Sequence, residues 1–155
     1  MGAEERFREE EQQFLNTSEL VEQRIEMGIK EEQEIAKAVD AYLNGIKTGE
    51  MRYFERAFYP DSVVINAGED DPEKSTRPID VFARGVRSRH EDGVRCEEIP
   101  LGMTVSHIGN AANVRLDFEL IIGDQTLYGT DYFNMVKRNG KWKISQKIYD
   151  VTHSK

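Results

Sequence analysis

Residues 129–150 read GTDYFNMVKRNGKWKISQKIYD, two runs of alternating apolar and polar residues on either side of Asn139-Gly140. An Asn-Gly pair accepts the positive backbone angles of a tight hairpin turn, and period-two alternation marks strands with one buried face. With that pair as the loop, 137 faces 142, 135 faces 144, 133 faces 146 and 131 faces 148. The face so defined holds Phe133, Met135, Trp142, Ile144 and Ile148 together with three polar residues, Asp131, Gln146 and, near the strand end, Lys137.

Two further turns extend the pattern toward the N-terminus. Gly123-Asp124 pairs 120 with 127, 116 with 131 and 114 with 133. Gly109-Asn110 pairs 105 with 114, 103 with 116 and 107 with 112. All three turns put Met103, Val105, Val114, Leu116, Phe118, Leu120 and Leu127 on the same face as Phe133. A slip of one residue would reverse that face, so the agreement specifies the register. His107 falls on this face as well. The opposite face carries Arg115, Asp117, Glu119, Tyr128, Tyr132, Asn134, Lys143, Lys147 and Tyr149, a mixture that suits a subunit contact.

Upstream of Gly93 the period changes to that of helices. Ile35, Val39, Tyr42 and Ile46 recur at helical spacing up to Gly49, which directs Tyr42 inward. A second helix carries Met51, Phe54 and Phe58 and stops at Tyr59-Pro60. SVVINA (62–67) is a short strand, 68–77 a loop, and Ser75 or Thr76 caps a third helix with Pro78 in its first turn. Helices followed by a long antiparallel meander make an α+β plan.

The 155 residues suffice for one domain. The net charge of −8 is uneven: residues 1–35 hold eleven Glu against Arg6, Arg8, Arg24 and Lys30, whereas the rest is nearly neutral. The expected division is an acidic helical extension over 1–31, with Thr17 or Ser18 as the candidate cap ahead of its apolar stripe, and a domain over 32–155. The extension reads as a solvated helix or, through Leu20, Val21, Ile25, Met27 and Ile29, as a partner-contacting one. No basic stripe points to nucleic acid. No apolar run reaches the roughly 20 residues of a membrane span, and MGAEERFREEEQQ lacks the apolar core of a secretory signal. The expected location is cytoplasmic. Cys96 is the one cysteine, and no HxxxH or HxH spacing joins the three histidines, so no metal and no cofactor is expected.

The order of these elements resembles the nuclear transport factor 2-like superfamily, through IAKAVDAYLNGIKTGEMRYFERAFYPDSVVI (35–65) and GTDYFNMVKRNGKWKISQKIYD (129–150). The second stretch is similar to the bacterial group called putative lumazine-binding and polyketide cyclase-like. The resemblance implies three helices packed on a curved, mostly antiparallel sheet that forms a cone-shaped pocket, here preceded by an extra acidic helix. It also compares Tyr42, ahead of Gly49-Glu50, with the oxyanion-binding tyrosine of ketosteroid isomerases. Asn66 stands where those enzymes have an aspartate base, which speaks against their usual route.

Asp131 is the candidate of most interest, because a carboxylate between apolar strands is costly to desolvate. It reads as a general acid or base, or as a ligand anchor; equally it reads as a structural group bonded to Tyr42 or Gln146. His107 is the candidate proton shuttle, or a satisfied group at a hairpin end. Tyr42 completes the catalytic set. Tyr42, Phe58, Asn66, Met103, Leu116, Phe118, Asp131 and Gln146 form the expected ligand-binding set, the aromatics serving as pocket walls or as core filling. The expected function is binding of a small hydrophobic or heteroaromatic molecule by a homodimer joined through its outer sheet face. The alternatives are a cofactor-independent isomerase, cyclase or dehydratase acting on a small carbonyl compound, and a protein-interaction module.

Overall fold

The computed structural model describes residues 2–155. Four helices and six strands follow in the order α1 (Ala3–Thr48), α2 (Met51–Ala57), β1 (Phe58–Asn66), α3 (Pro72–Ser75), β2 (Thr76–Pro78), α4 (Ile79–Glu91), β3 (Cys96–Ile108), β4 (Ala111–Ile122), β5 (Gln125–Arg138) and β6 (Lys141–Ser154). Contacts divide the chain into residues 1–33 and 34–155. In the first unit Leu20, Val21, Ile25, Met27 and Ile29 are exposed. Among the described residues no helix is long and apolar enough to cross a membrane.

Several expected boundaries move. Thr17 and Ser18 lie inside α1, so neither caps a helix, and α1 continues through Glu32 without a break. Phe58 opens β1 instead of closing α2. The expected loop over 68–77 contains the one-turn α3, capped by the Asp71 side chain, and the short β2. Ser75 therefore ends a helix and Thr76 enters a strand, while Pro78 precedes α4 without a side-chain cap.

Within residues 34–155 the six strands form one sheet ordered β2-β1-β6-β5-β4-β3, antiparallel except for the β1–β6 pair. Asn139 and Gly140 both take positive φ (53° and 76°), as a type I′ turn requires. Every pair expected around Gly109-Asn110 and Gly123-Asp124 is present. Ile35, Val39, Tyr42 and Ile46 of α1, Phe54 of α2, Val86 of α4 and the sheet residues Val114, Leu116, Phe133, Met135 and Ile144 are buried in one core. Gly49 (φ 72°) ends α1, and the His90 ring contacts the Ile46 carbonyl at 2.7 Å, within the helix's last turn.

Three bulges interrupt the antiparallel pairs, and two of them reverse a face; the parallel β1–β6 pair has its own shift between Phe58 and Val63. On β6, Lys137↔Trp142 and Met135↔Ile144 pair as the turn dictates, but Asn134 then pairs with Gln146 and Phe133 with Lys147. Ser145 is the extra residue. Beyond it Lys147 and Tyr149 turn toward the core, and Gln146, expected inside, turns out, where its Oε1 accepts from Asn134 Nδ2 at 2.9 Å. Ile148 leaves the inner face with it. On β3 the extra residue is Leu101: Met103 faces Leu116, yet Pro100 faces Phe118 and Glu98 faces Leu120. That slip brings Cys96 and Glu98 inside and turns Glu97 out.

The third bulge lies beside Gly129, where β6 opposes Tyr128 and Gly129 with His153 and Val151. A Cβ at 129 would collide with the Asp150 carbonyl oxygen and the Phe118 ring. Only glycine permits this close approach of β5 and β6.

Candidate functional site

Directly opposed residues share a face, so Asn66, Tyr149, Asp131, Leu116 and Met103 form one row across β1, β6, β5, β4 and β3. Asp131 sits in the middle, fully buried. Leu116 is buried beside it and Phe118 one step along β4. Met103 occupies the edge strand at the end of the row and is 46% exposed, so it does not wall an interior site as expected. Asn66 lies two strands from Asp131, about 10 Å at normal strand spacing. Its side-chain oxygen accepts from the Gly68 N–H at 3.0 Å. His107 lies opposite Ala112, four residues along β4 from Leu116, about 13 Å at the rise of a strand. Asp131 and His107 are thus not brought together.

The groups that do meet Asp131 arrive through the two bulges and from α1. Lys147 Nζ lies 3.5 Å from Asp131 Oδ1, with both side chains buried. The ammonium also sits over three rings, Tyr149 at 4.1 Å, Phe82 at 4.8 Å and Tyr42 at 5.1 Å from their centroids, a cation–π box closed by a carboxylate. Tyr42 donates its hydroxyl proton to Glu98 Oε1 at 2.7 Å. Its ring packs edge-on against Phe133 and Phe58. One helix and three strands therefore converge on a network of two acids, one lysine and one phenol.

Charge accounting assigns the protons. Burial, and then the negative charge of Asp131, push the Glu98 carboxyl well above its ordinary value of 4.5. Burial, then the charges of Asp131 and Glu98, raise the Tyr42 phenol as well, and it stays protonated. Lys147 compensates one acid, so a protonated Glu98 leaves the network neutral. As two carboxylates, Glu98 Oε2 and both oxygens of Asp131 would have no hydrogen-bond donor. The proton kept on Glu98 supplies one toward Asp131. Such a pair can hold or hand over one proton away from water.

A cleft of about 220 Å³ lies next to this network, lined by Val64, Asn66, Lys74, Ser75, Arg77, Phe82, Gly85, Val86, Arg89 and Tyr149. Phe82 and Tyr149 serve both, with rings that contact the Lys147 ammonium and side chains that line the cleft. Burial raises the Cys96 thiol above 9.0 and outweighs the opposing pull of the Arg89 guanidinium. A larger hollow of about 450 Å³, lined by Met51, Phe54, Phe58, Ile79 and Ala83 among others, touches none of the network's charged groups. Among the described residues no group of three His, Cys, Asp or Glu is placed to hold a metal ion.

Glu98, Lys147 and Arg89 were absent from the expected site. Pro100 and Gly102, both unusual inside a strand, are a legible signal for the β3 bulge. Ser145 gives no such signal.

A family model described as "Putative lumazine-binding" matches residues 30–150. No curated protein matches the chain. Among solved structures, an NTF2-like protein of unknown function from Shewanella baltica is 21% identical, with a TM-score of 0.60 over 82% of this chain and 95% of its own. A "Putative Scytalone Dehydratase" from Novosphingobium aromaticivorans is 17% identical, with a TM-score of 0.68 over 83% and 88%. LinA is 14% identical, with a TM-score of 0.64 over 81% and 88%. At these identities the likeness is one of fold.

Proposed function

Because the chain belongs to the putative lumazine-binding family, within the nuclear transport factor 2-like superfamily, we propose that it binds a small heteroaromatic molecule in the cleft between Phe82 and Tyr149. The single observation behind this reading is the double use of those two rings. They line a cleft beside a charge-balanced interior and bring aromatic surface to a flat ligand. At about 220 Å³ the cleft is smaller than the roughly 300–1,000 Å³ of drug-sized sites, which favours one or two fused rings. Asn66 lies on the rim with an amide for ring carbonyls and nitrogens. Calorimetric titration with lumazine is expected to give saturable binding that weakens at least tenfold in Phe82→Ala; a wild-type protein that does not saturate rejects the reading.

A second reading has an observation of its own. The proton retained by Glu98 next to Asp131 suits proton transfer on a small carbonyl compound, with Tyr42 holding the Glu98 carboxyl through its O–H and no cofactor required. Under this reading Asp131→Asn removes turnover of the bound compound and leaves binding in place; unchanged turnover in that variant rules it out. His107 has no part in it.

Homodimerisation through the outer sheet face belongs to the same proposal. Tyr132, 43% exposed, stands there among Arg115, Asp117 and Asn134. Lys147 and Tyr149 are removed from that face by the Ser145 bulge, leaving a more polar surface than the strand pattern suggests. Sedimentation velocity is expected to report a dimer, and Tyr132→Glu a monomer.

A further inference from the structure

We infer that the ligand of this cleft carries an oxyanion, a carboxylate or a phosphate, beside its ring. The inference rests on the binding reading above and specifies the ligand's charge. Lys74 of α3, Arg77 of β2 and Arg89 of α4 come from three separate elements to line one small cleft, and no carboxylate lines it with them. This is unexpected in a chain where 29 acids outnumber 21 bases.

Five other arginines find carboxylate partners close by. On α4, Arg84 pairs with Asp80 at 3.1 Å and Arg87 with Glu91 at 2.9 Å, each four residues away on the same helix. Beyond α4, Arg52, Arg95 and Arg115 pair with Glu50, Glu97 and Asp117. Arg89 turns instead toward Cys96 and the cleft, and neither it nor Lys74 nor Arg77 has an ion pair among the described residues. The acids nearest in sequence are otherwise engaged or absent from the lining: Asp71 accepts from the Glu73 N–H and caps α3.

Register strengthens the argument. Arg77 lies opposite Val64, and Val64 lies opposite Lys147, so two positive side chains share one row with only a valine between them. Lys147 is neutralised by Asp131, whereas Arg77 is left for a partner from solution. An arginine fork binds a carboxylate or phosphate by two parallel hydrogen bonds, and a lysine adds a point charge. With the ring between Phe82 and Tyr149, the oxyanion reaches the cationic side of the same cleft.

The test compares lumazine with its 6-carboxylate by calorimetric titration of the intact chain at low and high salt, in the wild type and in the Arg77→Gln/Arg89→Gln double variant. Both arginines are exposed, so the variant is expected to fold, and its thermal unfolding checks this. The carboxylate is expected to bind at least about tenfold more tightly than lumazine at low salt, an advantage that shrinks with added salt and falls to about one in the double variant. Displacement of the carboxylate by inorganic phosphate extends the ligand class to phosphates, and resistance to displacement confines it to carboxylates; both support an oxyanion site. Equal affinities, or an advantage that survives in the double variant, overturn the inference and leave the binding reading intact. Failure of both compounds to bind overturns the two together.

Discussion

At the scale of single residues, the network around Asp131 is unequal in what each member can lose. Asp131→Asn leaves the Lys147 ammonium buried without its counter-charge, and removing one partner of a buried pair typically costs about 3–5 kcal/mol. Urea unfolding at neutral pH is the measurement. Glu98 behaves oppositely, because the folded protein holds it protonated. A group whose folded value is raised stabilises fully below its unfolded value, and that contribution is lost as pH climbs through the folded one. Wild-type stability is therefore expected to decline as pH rises above 4.5 toward the raised value. Glu98→Gln, a neutral mimic that still accepts from Tyr42, should flatten the decline and match the wild type at acid pH. A profile that rises over that range, or a slope retained in the variant, contradicts the assignment. Asp131 was legible in the sequence because period two and three turns fix its side of the sheet. Glu98 and Lys147 were not, because the same arithmetic carried past Leu101 and Ser145 assigns them to the outside.

Elements show the same division. Strand existence, the antiparallel meander and the hairpin registers follow from Gly109-Asn110, Gly123-Asp124 and Asn139-Gly140, since a turn acts on its immediate neighbours. A bulge obeys tertiary packing and leaves little local trace, as Ser145 demonstrates. Helix limits were least legible: charge composition falls off near Glu32, yet α1 does not break there, because Glu, Gln and Lys all favour helix. Gly129 is where an element's shape hangs on one residue. Gly129→Ala forces a methyl against the Asp150 carbonyl and the Phe118 ring, an overpacking expected to cost about 1–3 kcal/mol or more. The same change at Gly85, which meets nothing within 4 Å, is expected to be neutral or stabilising in a helix. Equal unfolding midpoints for the two variants would refute the role assigned to Gly129.

For the whole molecule, the strongest expectation concerns the acidic extension. The buried core belongs to residues 34–155, whereas the apolar side chains at 20, 21, 25, 27 and 29 are exposed. We propose that residues 1–31 form an independent extension of the 32–155 domain. Removing residues 2–33 should then leave a cooperative unfolding transition at nearly the same urea midpoint, with a smaller fraction of helix by circular dichroism. A chain that loses its cooperative transition on truncation would show that the extension is part of the folding unit. The α+β class and the family were both within reach of the sequence, which carries them in long periodic segments. Which charges meet inside was not, because it depends on two single-residue slips.

Those slips are electrically unequal. With the extra residue at 145 alone, the lysine arrives and Asp131 is compensated. With the extra residue at 101 alone, a second acid enters, which burial keeps protonated, and Asp131 keeps its charge without an ammonium beside it. Straightening β6 alone would strip Asp131 of its counter-charge, whereas straightening β3 alone would remove only an acid that is held neutral.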